Sequence, residues 1–315
     1  MPRRDDGTFH NLDPTVHPGL GKALKWALVD RIAGRRRKSP ARAEVPVTAP
    51  QPDAHRNAVL WLGHATALIS LGGLRILTDP VFSDRLGPGV RRNVASPLNA
   101  ATLPPLDLVA ISHNHRDHLD KPSVVAVEEA HHPHWVVPLG VERYLVAWGV
   151  PAERVTSLDW WDESGPLIDA PDLRVTCVPA QHWSQRTAFD RNKSLWGGFV
   201  FRLDRHVVYF AGDSGYFDGF SEIARRIGPI GMALLPIGAY DPEWFMRPQH
   251  MNPDEAGQAF LDLAAERMVS IHWGTFKLTD EPLNEPPARF DAWRTRTRVE
   301  DSRALVLPIG GLVTL

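Results

Sequence analysis

Nine residues constrain this chain more than any others: Ser112-His113-Asn114-His115-Arg116-Asp117-His118-Leu119-Asp120. Four potential metal ligands, His113, His115, Asp117 and His118, fall within six residues of one another. The run Leu106–Ile111 leads directly into them. It is short, apolar and partly β-branched, which predicts a buried strand. A polar cluster at the end of such a strand stands on a loop held by a rigid sheet, where metal sites are commonly built. In extended chain the side chains alternate between faces, so His113 and His115 point the same way and can share one cation. If the chain turns into a helix near His118, Asp117 and His118 swing towards a second position. Imidazole suits zinc, iron and nickel, and a carboxylate adds charge and can bridge.

The pattern of strand, ligand and loop recurs. Leu173–Val178 precedes His182, His206–Phe210 precedes Asp213, and Met268–Ile271 precedes His272. Ligands at successive strand ends can converge on one edge of a layered α/β fold. Further strands are predicted at 59–62, 67–71 and 74–77, with Gly72-Gly73 as a hairpin turn, and helices at 122–131, 141–148, 220–227 and 253–265. Asp79, after the third of these strands, either orients a ligand histidine or caps a turn. His64, after Gly63, has either a structural or a pocket role. Asp120 is expected to cap the following helix. The long loop from Arg85 to Pro105 is expected to edge a substrate groove. Trp61, Trp183, Trp244 and Trp273 stand near the motifs and suit an apolar groove beside the metals.

Of the 315 residues, 43% are hydrophobic, enough for a substantial core, and the net charge of −2 gives no global pull towards nucleic acid. The single cysteine, Cys177, excludes an intramolecular disulfide and reads as buried packing. No apolar run approaches the ~20 residues that a membrane helix needs. The polar N-terminus lacks a signal-peptide core, so the expectation is a soluble, cytoplasmic protein. Residues 1–52 read as an arm and 53–315 as the catalytic domain. In the arm, Leu20, Leu24, Leu28 and Ile32 recur at helical spacing, followed by Arg35-Arg36-Arg37-Lys38 and a Pro- and Ala-rich linker or strap. That helix is either docked on the domain with a solvated basic end or a membrane-surface or substrate-side element.

His113-x-His115-x-Asp117-His118 resembles the signature of the metallo-β-lactamase superfamily. Further segments resemble its branch of N-acylphosphatidylethanolamine-hydrolysing phospholipases D: Trp61-Leu62-Gly63-His64-Ala65, Gln181-His182-Trp183, Gly212-Asp213-Ser214-Gly215-Tyr216 and His272-Trp273-Gly274-Thr275-Phe276. The likeness covers roughly residues 55 to 315. It implies a four-layer αββα sandwich with metals at one sheet edge. It implies that His113, His115 and His182 hold one zinc ion and Asp117, His118 and His272 a second, with Asp213 bridging; iron or manganese can replace zinc in such a site. It further implies that Asp117 and Asp213 are the catalytic carboxylates and that a hydroxide between the metals attacks phosphorus. Gln249 and His250 resemble a loop beside the family's substrate site. The implied reaction converts N-acylphosphatidylethanolamine or a related phospholipid to N-acylethanolamine and phosphatidic acid. A homodimer and peripheral contact with the inner membrane surface through the arm are further expectations. The alternatives are an ascorbate-6-phosphate lactonase, an iron-dependent redox protein and a non-catalytic metal-binding module.

Overall fold

The computed structural model describes residues 6–13, 19–87, 89–167 and 170–315, without the side chains of Leu20 and Ala23. In the arm, helix α1 (Leu20–Leu24) continues as a π-helix over Lys25–Asp30. Strand β1 (Ala58–Gly63) shows why the rest forms layers. All its residues are buried, but Val59 and Trp61 face one apolar cluster while Leu60 and Leu62 face another. A strand that is apolar on both faces must be covered on both.

The first sheet adds β2 (Thr66–Leu71), β3 (Leu74–Thr78), β4 (Leu108–Ala110), β5 (His134–Pro138) and β6 (Val155–Leu158). β1 to β3 form an antiparallel meander, turned at Gly72-Gly73, where both residues have positive φ. β3 to β6 run parallel. Helices α2 (Lys121–His131) and α3 (Glu142–Ala147) cover the outer face, with Val124, Val127 and Leu145 packed against Leu60, Trp135 and Val137. Pro122 in the first turn of α2 is well tolerated, and the Asp120 side chain accepts the Ser123 N–H as the expected cap.

The second sheet comprises β7 (Arg174–Val178), β8 (Gly198–Leu203), β9 (His206–Phe210), β10 (Met232–Pro236), β11 (Arg267–Ile271) and β12 (Ala304–Leu305). It is antiparallel from β7 to β9 and parallel from β9 to β12. Outside it lie α4 (Gly219–Ile227), α6 (Pro253–Asp262) and α7 (Glu285–Thr297), while the short α5 (Glu243–Met246) follows β10 and packs against Trp26 of the arm. Phe220, Phe260, Phe290 and Trp293 bury this outer layer, and the inner faces of both sheets share the same apolar cluster. The layers are α, β, β, α, as expected. Two elements lack a readable sequence signal. Helix α7 buries little beyond Pro286, Phe290 and Trp293, and strand β13 (Leu312–Thr314) is three residues that complete the first sheet beside β1.

The arm is built into this framework. Phe9 and Val45 belong to the core cluster. Asn11 Oδ1 accepts the His182 backbone N–H at 3.0 Å and the Trp196 indole N–H at 3.1 Å. The Pro-rich stretch is a strap: Thr48 N–H donates to Ile309 O at 2.9 Å, and Asn93 binds both Ala43 and Gly274. The helix docks, but not through the described members of its apolar stripe; the Leu20 side chain lies outside the described residues. Leu24, Leu28 and Ile32 are 57%, 54% and 85% exposed. The π-helical winding shifts the register, and the docked residue is Trp26, which stacks on Phe245 at 5.4 Å and donates to Asp280 at 3.1 Å. Among the described residues no helix is long and apolar enough to cross a membrane.

Candidate metal centre

The motif of residues 112–120 begins where β4 ends. Its geometry is set by Asp79 at the end of the neighbouring β3. The Asp79 carboxylate is fully buried. It accepts the Ser112 N–H at 2.7 Å, the Ser112 hydroxyl at 2.6 Å and the His118 Nδ1–H at 2.7 Å. Of the two roles open to Asp79, the orienting one is therefore realised. Gly212, at φ +61°, brings the second sheet against this motif. A Cβ there would stand 2.5 Å from Ser112 Cβ, so only glycine lets Asp213 reach the histidines.

Two clusters result. His113 Nε2 lies 2.8 Å from His115 Nδ1, and His182 Nε2 lies 3.2 Å from the same atom. Beside them, His118 Nε2 stands 3.1 Å from Asp213 Oδ2 and 3.6 Å from Asp117 Oδ2. His272 Nε2 stands 3.0 Å from Asp213 Oδ1. His182 Nε2 is 3.9 Å from Asp213 Oδ2, so Asp213 spans both clusters. All seven residues expected at the metals are thus brought together, in two groups that share one carboxylate.

The accounting of ring protons shows that cations fit here. The Ser112 hydroxyl donates to Asp79, so it accepts from His113 Nδ1–H and leaves His113 Nε2 with a bare lone pair. His182 Nδ1–H donates to Gln249 O at 2.9 Å, which leaves its Nε2 bare as well. Both lone pairs point at His115 Nδ1, which has one proton to offer when neutral. In the second cluster His118 Nδ1–H is committed to Asp79, so the neutral ring turns a bare Nε2 towards carboxylate oxygens, a position that only a proton or a metal cation can satisfy. His118 Nε2, His272 Nε2 and Asp213 Oδ1 are buried without a hydrogen-bond partner. Buried acceptors facing one another are costly unless a positive charge lies between them. Holding the outer ring nitrogen and freeing the inner one is the arrangement that orients a metal-ligating histidine.

The electrostatics agree. Burial pushes His113 and His182 well below the ordinary histidine range and His115 to about 4, so all three are neutral bases at pH 7. Burial would lower His118 too, but Asp213, Asp117 and Asp79 raise it well above the usual value, marking a position that draws positive charge. Burial would raise Asp117 and Asp213. The surrounding histidines, His118 foremost, outweigh that and keep both carboxylates ionised.

His64 belongs to the second cluster, a role that its sequence context left open. Its Nε2–H donates to Asp117 Oδ2 at 3.0 Å, and its backbone oxygen accepts from Trp61 and from His272 N. A register shift between β1 and β2 at Trp61/Gly63 re-aims this residue. Burial and His272 lower its pKa to about 3. Left-handed backbone occurs at four non-glycine residues around the site: His64, Asp79, Ala239 and His272. Each costs on the order of 1 kcal/mol and persists because the surrounding hydrogen bonds fix it.

The clusters open into a cleft of about 400 Å³ that reaches His115, Asp117, Asp213 and His250. Its apolar wall is Trp26, Trp183, Phe245, Met246 and Leu278. Of the four tryptophans expected to form a groove, only Trp183 lines it. Trp61 and Trp273 pack on each other in the core at 5.3 Å, and Trp244 is 44% exposed under Lys25. Trp26 of the arm takes their place. No described residue of the 85–105 loop lines the cleft; its start borders a neighbouring concavity instead. Gln249 and His250 both line the cleft. Gln249 is buried, and its backbone carbonyl is what holds His182.

Residues 74–273 match the family described as Beta-lactamase superfamily domain. The chain is 42% identical over 299 residues to an uncharacterised protein of Mycobacterium tuberculosis, covering 91% of this chain and 78% of that one. It is 38% identical over 236 residues to an N-acyl-phosphatidylethanolamine-hydrolyzing phospholipase D of Caenorhabditis elegans, covering 72% of this chain and 66% of that one. The fold is similar to that of Igni18, a metallo hydrolase from Ignicoccus hospitalis, with a TM-score of 0.61, 22% identity, and 82% of this chain and 97% of that one covered. Seven histidines and aspartates gathered at one sheet edge of an αββα sandwich, on a chain so related, make this protein a metal-dependent hydrolase that belongs to the beta-lactamase superfamily.

Proposed function

We propose that this protein is a zinc-dependent phosphodiesterase that hydrolyses N-acylphosphatidylethanolamine or a related phospholipid to N-acylethanolamine and phosphatidic acid. The observation that carries this reading is the aromatic, apolar cleft that opens directly onto both clusters, a shape suited to acyl chains with a phosphodiester at its floor. The Caenorhabditis elegans relative, a phospholipase D by name, supports the same substrate class. His113, His115 and His182 would hold one ion, Asp117, His118 and His272 the other, with Asp213 between. A bound pair of divalent ions supplies Lewis acidity at the phosphoryl oxygens and lowers the pKa of water towards neutrality.

The chain's own groups do the rest. Attack of water on phosphorus forms one P–O bond and breaks the P–O bond to the ethanolamine oxygen. Asp117, ionised and fixed through Oδ2 by His64, accepts the proton of the attacking water and returns it to the departing oxygen. His250 is neutral at pH 7, its pKa lowered by burial to about 4, and its Nδ1 has no partner. It donates a hydrogen bond to a phosphoryl oxygen and so orients the ester. Product identification after incubating zinc-loaded protein with a phospholipid panel tests the reading: N-acylethanolamine and phosphatidate are expected. Hydrolysis of a sugar-phosphate lactone with every phospholipid intact would remove it.

The arm brings the substrate's bilayer into this proposal. The helix that lines the cleft through Trp26 exposes Leu24, Leu28, Val29 and Ile32, with Lys22, Lys25, Arg31 and Arg35 alongside. Apolar residues framed by cations fit an anionic lipid surface. Because Leu28 and Ile32 are exposed, Leu28→Asp/Ile32→Asp should fold and lose binding to anionic vesicles. Equal sedimentation of variant and wild type with vesicles at low and moderate salt would refute the contact.

A further inference from the structure

Beside the cleft lies a second concavity of about 270 Å³, and Arg116 lines both. Four cations surround it: Arg85, Arg116, Lys121 and Arg186. The one carboxylate in its wall, Asp120, is already occupied, since its Oδ2 accepts from the Ser83 hydroxyl at 2.6 Å, the Ser123 hydroxyl at 2.6 Å and Ser123 N–H at 3.3 Å. Among the described residues no carboxylate lies within ion-pair distance of the four cations. Arg186 is half-buried, and its guanidinium donates to backbone carbonyls of the metal motif, Leu119 O at 2.6 Å and Asn114 O at 3.3 Å. Trp148 gathers two of the cations, with Arg186 Cζ 4.9 Å and Lys121 Nζ 6.0 Å from its ring. The N-terminal turn of α2, through Lys121 and Pro122, borders the same space and adds the positive end of its dipole.

Gathering like charges around a hollow is unfavourable by itself. Burial first, and then the neighbouring Arg116, lower the pKa of Arg186 and outweigh the opposing pull of Tyr144, Asp120 and Asp190. An oxyanion offsets the gathered charge, and guanidinium groups bind phosphate oxygens in pairs. We propose that this concavity is an oxyanion subsite, separate from the metal clusters, that takes a phosphate group. The four cations recognise the phosphate itself, whether it is free or the headgroup of an anionic lipid. Arg116 places the occupant next to the cleft, but the subsite does not depend on which ester is cleaved there.

Isothermal titration of the metal-replete protein tests this, with inorganic phosphate in one arm and water-soluble dihexanoyl phosphatidate in the other. Wild type, Arg85→Gln/Lys121→Gln and Arg186→Lys are compared at equal metal content. Phosphate held by the metals is common to all three, so the subsite is read as the difference. The double variant should bind at least about tenfold more weakly, with a shallower salt dependence as two cations are removed. Arg186→Lys, which keeps the charge but loses the fork, should fall between it and wild type. Equal binding of inorganic phosphate and phosphatidate marks the free group as sufficient, and tighter phosphatidate marks a lipid headgroup; both support the subsite. Unchanged affinity and stoichiometry in the double variant overturn it, as does a loss of binding that merely follows loss of metal. Because the readout is binding, it is independent of whether the protein cleaves phospholipids.

Discussion

The two ligand clusters touch through Asp213 but are built from opposite chemistry. His113, His115 and His182 offer three neutral imidazoles, kept neutral by burial, with the nearest carboxylate oxygen 3.9 Å from His182. The other cluster sets His118 and His272 against two ionised carboxylates and buttresses them with Asp79 and His64. The first cluster attracts a cation through lone pairs alone, whereas the second also supplies the counter-charge. Two divalent ions against Asp117 and Asp213 would leave the floor of the cleft net positive, which suits an anionic phosphodiester.

Removing the shared carboxylate should break the contrast. Asp213→Asn keeps the size and loses the charge at the one residue common to both groups. It should lower metal content at both positions and cut turnover at least about a hundredfold, ~2.7 kcal/mol in barrier. Elemental analysis with turnover on one phospholipid checks this; two metals and near-normal turnover would show that Asp213 is not the link.

Asp79→Asn should separate the clusters. It withdraws the acceptor of His118 Nδ1–H directly and reaches His113 only through the Ser112 hydroxyl, so affinity should fall about ten- to hundredfold for the ion at His118 and by less for the ion at His113. Competition with a chromophoric chelator resolves the two affinities. An equal fall in both would mean that the clusters behave as one unit.

The smallest effect is on pH dependence. In chelator-treated protein the native pKa of His115 is about 4, below its unfolded value near 6.5. As pH falls from 6.5 towards 4 the unfolded chain takes up a proton that the native one refuses, so stability drops across that window. Thermal unfolding at several pH values should show a shallower slope for His115→Asn than for wild type. Identical slopes would place the dependence elsewhere.

Much of this site is legible in the chain. Short apolar runs that end in histidine or aspartate mark the strand ends, because burial on both faces demands such runs and ligands must stand clear of them. Other parts carry little local signal. Asp79 is four residues before Ser83 in an ordinary turn sequence, and only the approach of β4 gives it Ser112 and His118 to hold. His64 reads as one residue after a glycine, and the β1–β2 register shift is what aims it at Asp117. Helix α7 and strand β13 are too short in apolar residues to announce themselves. The leucine stripe of the arm is plain in sequence, but π-helical winding turns it outward and sends Trp26 into the cleft.

By itself, then, the sequence determined the strand periodicity and the motif of residues 112–120, since these depend on residue type and local spacing, and the resemblance of that motif pointed to the superfamily. Tertiary structure alone decided which nitrogens face inward, which tryptophans line the cleft and how Arg85, Arg116, Lys121 and Arg186 come to share one hollow. Those outcomes depend on contacts between segments far apart in the chain, as when Gly212 lets two sheets close to within reach of one carboxylate, and no local pattern encodes such a distance.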